Sequence, residues 1–97
     1  MRVVWQVQAE TELDVAIDYY YFQASTAVSE NFRNEVERVT TLLLEHTKLG
    51  VQVRHNTRRL PLHGYPFDLV YRAKQDSIIV IALAHQSRRP GYWVGRR

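Results

Sequence analysis

Cysteine is absent from the 97 residues. No disulfide can staple the fold, and thiol catalysis and cysteine-ligated zinc are excluded. Glycine and proline are scarce, with four and three copies, so few stretches read as turns and none as a linker or a low-complexity segment. No apolar run approaches the roughly 18 residues of a membrane span. The opening MRVVWQVQAE lacks the apolar core and small-residue cleavage site of a signal peptide. These absences predict a soluble, cytoplasmic chain with no membrane association, forming a single domain over residues 1–97 whose one core buries about 60% of the unfolded surface. The four histidines, His46, His55, His63 and His85, are scattered, and none has a close pair of acidic ligands. No metal and no cofactor are therefore expected.

Charge is plentiful but unevenly placed. Residues 1–47 hold three basic residues (Arg2, Arg33, Arg38) and eight acidic ones, whereas residues 48–97 hold ten basic residues against Asp68 and Asp76. The first part is thus net −5 and the second +8, for the overall +3. A basic face that meets nucleic acid or an acidic protein explains this better than solvation of a dipolar domain.

The stretch VVWQVQ alternates, with Val3, Trp5 and Val7 on one side, and reads as a first strand. Thr11–Asp14 (TELD) matches a capping box, which predicts a helix start there. Leu13, Ile17, Tyr20 and Ala24 recur at helical spacing and form its core face. Val15, Tyr19 and Phe22 form a second stripe, which is either further core or apolar surface for a partner chain. Ser25 and Thr26 can cap a second helix, in which Val28, Phe32, Val36, Val39 and Leu43 repeat; it should end near Lys48, with Gly50 supplying a left-handed cap. Beyond it, residues 58–62, 67–74 and 77–84 read as strands, with GYP (Gly64–Pro66) and QDS (Gln75–Ser77) as turns. The run IIVIALA suits an interior strand.

The element order β-α-α-β-β-β predicts an α+β fold: a twisted antiparallel sheet with a helical hairpin on one face and the first strand returning beside the meander. Its expected core is Leu13, Ile17, Tyr20, Phe32, Val36, Val39, Leu43, Leu69, Ile79 and Ile81. The other sheet face, with the basic residues, is left for function. In the segment AHQSRRPGYW (Ala84–Trp93), Pro90 stiffens the exit of the last strand. Arg88 and Arg89 project there, while Tyr92 and Trp93 pack back over the sheet as anchors.

Four pieces occur in order: Ala9 with Leu13 ahead of a Tyr-rich helix, the close LLLEHTKLG, the hairpin RRLPLHGYPFDLVYR, and the tail AHQSRRPGYW. In these the chain resembles the RelE/ParE superfamily of bacterial toxins over its whole length, and the tail looks most like the ParE and plasmid-stabilisation branch. The resemblance implies a type II toxin held silent by a small acidic antitoxin. Its target would be DNA gyrase if the chain is ParE-like, or messenger RNA on the ribosome if RelE-like; an inert or differently targeted relative is the remaining alternative. On the gyrase reading there is no catalytic residue; Arg88, Arg89, Tyr92, Trp93, Arg96 and Arg97 meet the target, and Val15, Tyr19, Phe22, Arg58, Arg59 and Arg72 meet the antitoxin. On the ribonuclease reading His85 is the proton-transfer group, Arg58, Arg59 and Arg72 hold phosphate, and Tyr92 stacks or donates a proton. Ribonuclease relatives carry an arginine directly before Leu-Val-Tyr, where this chain has Asp68, and their lysine-rich stretch is replaced by TRRLPLHG. A carboxylate there repels phosphate. Strand alternation also predicts that Asp68 pairs with Arg72.

Overall fold

The computed structural model describes residues 1–96. Its elements are β1 (Arg2–Trp5), α1 (Val7–Gln23), α2 (Thr26–Glu45), β2 (Val51–Val53), β3 (Thr57–Pro61), β4 (Phe67–Ala73) and β5 (Ser77–His85). The strands form one sheet in the order β1-β5-β4-β3-β2. The α+β order and the β3-β4-β5 antiparallel meander match the expectation, and β1 does return beside β5. It does so in parallel, with Val3 opposite Ile78 and Trp5 opposite Val80, so the sheet is mixed at that edge.

The first helix starts five residues earlier than the capping box suggests. Gln6 is its N-cap and makes no side-chain cap bond. Ala9, fully buried, lies four residues before Leu13 on the same stripe, so burial of that face extends the helix upstream over Thr11. Ser25 does cap α2: its side chain accepts the Val28 amide at 3.1 Å. The helix stops at Glu45 with no basic residue in its last turn. Gly50 takes no left-handed conformation. A Cβ there would lie 2.8 Å from the Tyr71 ring, whose hydroxyl accepts the Gly50 amide and donates to the Thr47 carbonyl. Close approach, and not a helix cap, requires this glycine. Burial pushes the Tyr71 hydroxyl above the usual phenol range.

Strand β2 has no counterpart in the sequence reading. It is three residues long, and its hairpin to β3 turns through His55 and Asn56, both left-handed at φ 58 and 56. Such a turn is usually signalled by Asn-Gly, and His-Asn is a weak cue.

Helices and sheet enclose a cluster that includes Phe32, Val39, Leu43, Leu69, Tyr71, Ile78, Val80 and Leu83, with Leu13, Ile17 and Tyr20 partly buried against it. The rings of Tyr20, Phe32, Tyr65 and Phe67 pack at centroid distances of 5.0 to 6.5 Å. Ile79 and Ile81, expected in the same core, belong to a second cluster on the opposite face, with Val70, Ala82, Ala84 and Trp93. A β-bulge explains the double apolar step. The register with β4 moves from Val70 opposite Ala82 to Tyr71 opposite Val80, leaving Ile81 unpaired, so Ile81 and Ala82 both reach the far face.

Candidate functional site

The far face is built by alternation. Arg59 lies opposite Val70, and Asp68 opposite Ala84, so these four side chains share the face away from the helices. After β5 the chain reverses through Gln86–Pro90. Gly91, at φ 75, lets it turn back, and Trp93 is laid over the sheet at 7% exposure. An open groove of about 740 Å³ results, with Val53, Val70, Ala84 and Trp93 in its apolar lining and Arg54, Arg59, Arg88 and Arg89 as its cations.

The groove also contains a carboxylate. Asp68 is buried; it accepts Gln86 Nε2 at 3.1 Å and Arg59 Nη1 at 3.4 Å. The expected partner, Arg72, is not its partner. Four residues along a strand separate the two by about 13 Å, whereas Arg59 is a diagonal cross-strand neighbour. Arg72 instead donates to the His55 carbonyl at 3.0 Å. It lines a separate hollow with Ile81 and Arg96, beyond Trp93.

The two residues proposed for proton transfer, His85 and Tyr92, both line the groove but are engaged by other partners. His85 lines the groove, but its Nδ1 accepts the Ser87 amide at 3.1 Å and lies 2.7 Å from Ser87 Oγ. Tyr92 donates its hydroxyl hydrogen to Glu12 Oε2. Burial first, then that hydrogen bond and the Glu12 charge, push its hydroxyl well above the usual phenol range. A phenol so held keeps its proton and is a poor general acid.

The remaining arginines differ in availability. Arg88 and Arg89 are exposed, and the Arg88 guanidinium stacks 3.9 Å from the centre of the Tyr92 ring. Arg96 is half-buried and paired with Glu12 at 2.8 Å. Trp93 supports the surface from beneath. Arg97 lies outside the described residues.

Glu12 had no signal as a site residue, because its partners are 71 to 84 positions away in the chain. Its Oε1 accepts the Leu83 amide at 3.1 Å and Arg96 Nη1 at 2.8 Å, and its Oε2 accepts Arg96 Nη2 at 3.2 Å besides the Tyr92 hydroxyl. The Leu83 amide needs this acceptor. Gln6 makes the last bond from the β1 side, to Val80, and beyond it the chain turns away into α1, leaving that edge of β5 without a strand.

The second stripe of α1 is surface. Val15, Tyr19 and Phe22 are 63%, 61% and 76% exposed. Val15 and Tyr19 line a second groove, of about 650 Å³, together with Phe67, Leu83, His85 and Arg88. Arg58, grouped with this stripe on sequence grounds, is tied by Nη1 to the Gly50 carbonyl at 2.8 Å. The six residues expected to meet an antitoxin thus occupy three places: the outer side of α1, the α2-β2 connection, and the far face of the sheet. Among the described residues no helix is long and apolar enough to cross a membrane, and no group of three or more metal-ligating side chains converges.

Known proteins share this fold. A family model described as the ParE toxin of the type II toxin-antitoxin system, parDE, matches residues 3–90. A solved chain titled "Chromosomal ParDE TA system from P. aeruginosa" superposes with a TM-score of 0.75 and 19% identity, covering 88% of this chain and 95% of that one, which is a likeness of fold. No curated protein matches. With the family model spanning nearly all of the described residues, the chain belongs to the ParE toxins of type II toxin-antitoxin systems.

Proposed function

We propose that this ParE toxin arrests growth in the cytoplasm as a protein inhibitor of DNA gyrase, and that a small acidic antitoxin neutralises it. The observation that carries this reading is the pair Arg88 and Arg89, exposed at the strand exit while Trp93 holds the segment beneath them. Two adjacent guanidinium forks on a supported turn suit docking to carboxylates or phosphates of a macromolecule. Reaction chemistry has less support at this place. Asp68 occupies Arg59 and disfavours a phosphate, and the Tyr92 hydroxyl is committed to Glu12. The exposed Val15, Tyr19 and Phe22 offer anchors for an antitoxin segment that folds on contact, its carboxylates reaching the arginines.

The test is supercoiling by purified gyrase on relaxed plasmid, with messenger RNA on translating ribosomes as the counter-assay. The toxin should block supercoiling or trap cleaved DNA and leave the RNA intact. Changing Arg88 and Arg89 together to alanine should weaken inhibition, each buried charge-assisted contact being worth about 1.5 to 3 kcal/mol. His85→Gln should matter little. RNA cleavage that disappears with His85→Gln would overturn this reading in favour of the ribonuclease.

A further inference from the structure

We infer that Glu12 is a positioning residue, a carboxylate latch on α1 that fixes the C-terminal turn and so holds the arginine pair in its docking geometry. The functional half of this inference rests on the docking reading above. The latch itself rests on geometry alone.

Glu12 joins three parts of the fold through one carboxylate. It lies on α1, takes the free edge amide of β5 at Leu83, and binds both Tyr92 and Arg96 from the last turn. The side chains of Glu12 and Arg96 are each 17% exposed, so water competes poorly for the pair. Arg96 reinforces the attachment with a bond to the Ile81 carbonyl at 3.2 Å, on the same free edge of β5.

The effect on Arg88 is indirect and runs through a ring. Tyr92 is held at its hydroxyl by Glu12, and Arg88 stacks on that same ring. Fixing the phenol therefore fixes the plane on which the guanidinium rests. Between β5 and the latch the chain is a series of turns, with bonds from the Arg88 amide to His85, Tyr92 to Arg89, and Val94 to Gly91. Such a segment has little rigidity of its own and takes its position from its attachments. Trp93 provides the apolar attachment; Glu12 provides the directional one.

Four full-length variants test this: Glu12→Ala, Glu12→Gln, Arg96→Gln, and the Glu12→Gln, Arg96→Gln double. Amide exchange of residues 91–96 and Trp93 fluorescence, in a Trp5→Phe background, read the latch, growth arrest on induction reads toxicity without naming a target, and the thermal melt confirms folding. Glu12→Ala should speed exchange of the turn amides at least tenfold and shift the Trp93 emission, with a cooperative melt retained and growth arrest weakened about tenfold. Glu12→Gln keeps one acceptor oxygen, for the Leu83 amide, and presents an amide N–H to the Tyr92 hydroxyl, which can accept it, so it should recover part of both effects. The double variant should lose less than the sum of the two singles, since both cut the same pair. Should Glu12→Ala fail to fold, Arg96→Gln opens the latch from the tail without touching α1. Unchanged exchange in every folded variant overturns the latch. Loosened exchange with full growth arrest overturns the positioning role. Supercoiling unaffected by the wild-type chain would remove the gyrase reading alone, leaving exchange and growth arrest to decide the latch.

Discussion

The two faces of the sheet are covered by different means. On one, helices of 17 and 20 residues close over a continuous apolar cluster in which four aromatic rings pack edge to face or tilted. On the other, a short run of turns lays one tryptophan across a strip of small and branched side chains and is secured by an ion pair. Hydrophobic stabilisation grows with the apolar area removed from water. Most of the folding free energy therefore belongs to the helix side. The far face keeps an open, arginine-rich groove because only its margin is covered.

The largest effect that sharpens this contrast is expected at Phe32, which lies on α2 and is fully buried. Phe32→Ala should cost about 3 to 5 kcal/mol by losing transfer energy and leaving a cavity, a large part of the 5 to 15 kcal/mol typical of whole domains. The urea midpoint checks it. Trp93→Ala should cost less, about 2 kcal/mol, because a turn segment can shift to close the gap where a helix cannot. If the tryptophan proves the more costly of the two, the division between a stabilising face and a displayed one is broken.

A smaller effect concerns the attachment of α2 to the β3-β4 turn. Glu35 accepts the His63 amide at 2.6 Å and a forked contact from Arg38 at 2.7 and 2.8 Å. The Arg38 hydrogen bond, more than the His63 amide, holds its carboxyl below the usual range, against a burial effect that acts the other way. A depressed folded value means that the contribution is complete above the ordinary carboxylate range and is lost as the pH falls through the folded value. Arg38 is half exposed, so the gain is modest. Glu35→Gln should destabilise by about 0.5 kcal/mol at neutral pH. That gap to the wild type should close as melts are taken from about pH 6 down to about pH 3. A gap that widens on acidification would contradict this assignment.

Much of the helix side was legible because its periodicity is long and regular. Phe32, Val36, Val39 and Leu43 repeat through α2 as the sequence indicates, and all four are buried. Ends and short pieces were less legible. The start of α1 is decided by burial of Ala9 against the sheet, which overrides the capping pattern at Thr11. Three residues of β2 carry too little alternation to register, and the extra residue at Ile81 reverses the side that simple alternation assigns.

The candidate site divides along the same line. The sequence by itself determined the crowding of cations into the second half, the exposed stripe on α1 as one of two options, and a proline-stiffened exit carrying Arg88 and Arg89. These are local facts of composition and spacing. Tertiary structure alone decided that Asp68 answers Arg59 and not Arg72, that Arg96 is committed, and that Glu12 reaches across the fold to all three anchoring partners. Each of these depends on which strands are neighbours and where the chain turns back. A carboxylate and a phenol 80 positions apart leave no periodic trace in a sequence, because only folding brings them within hydrogen-bonding distance.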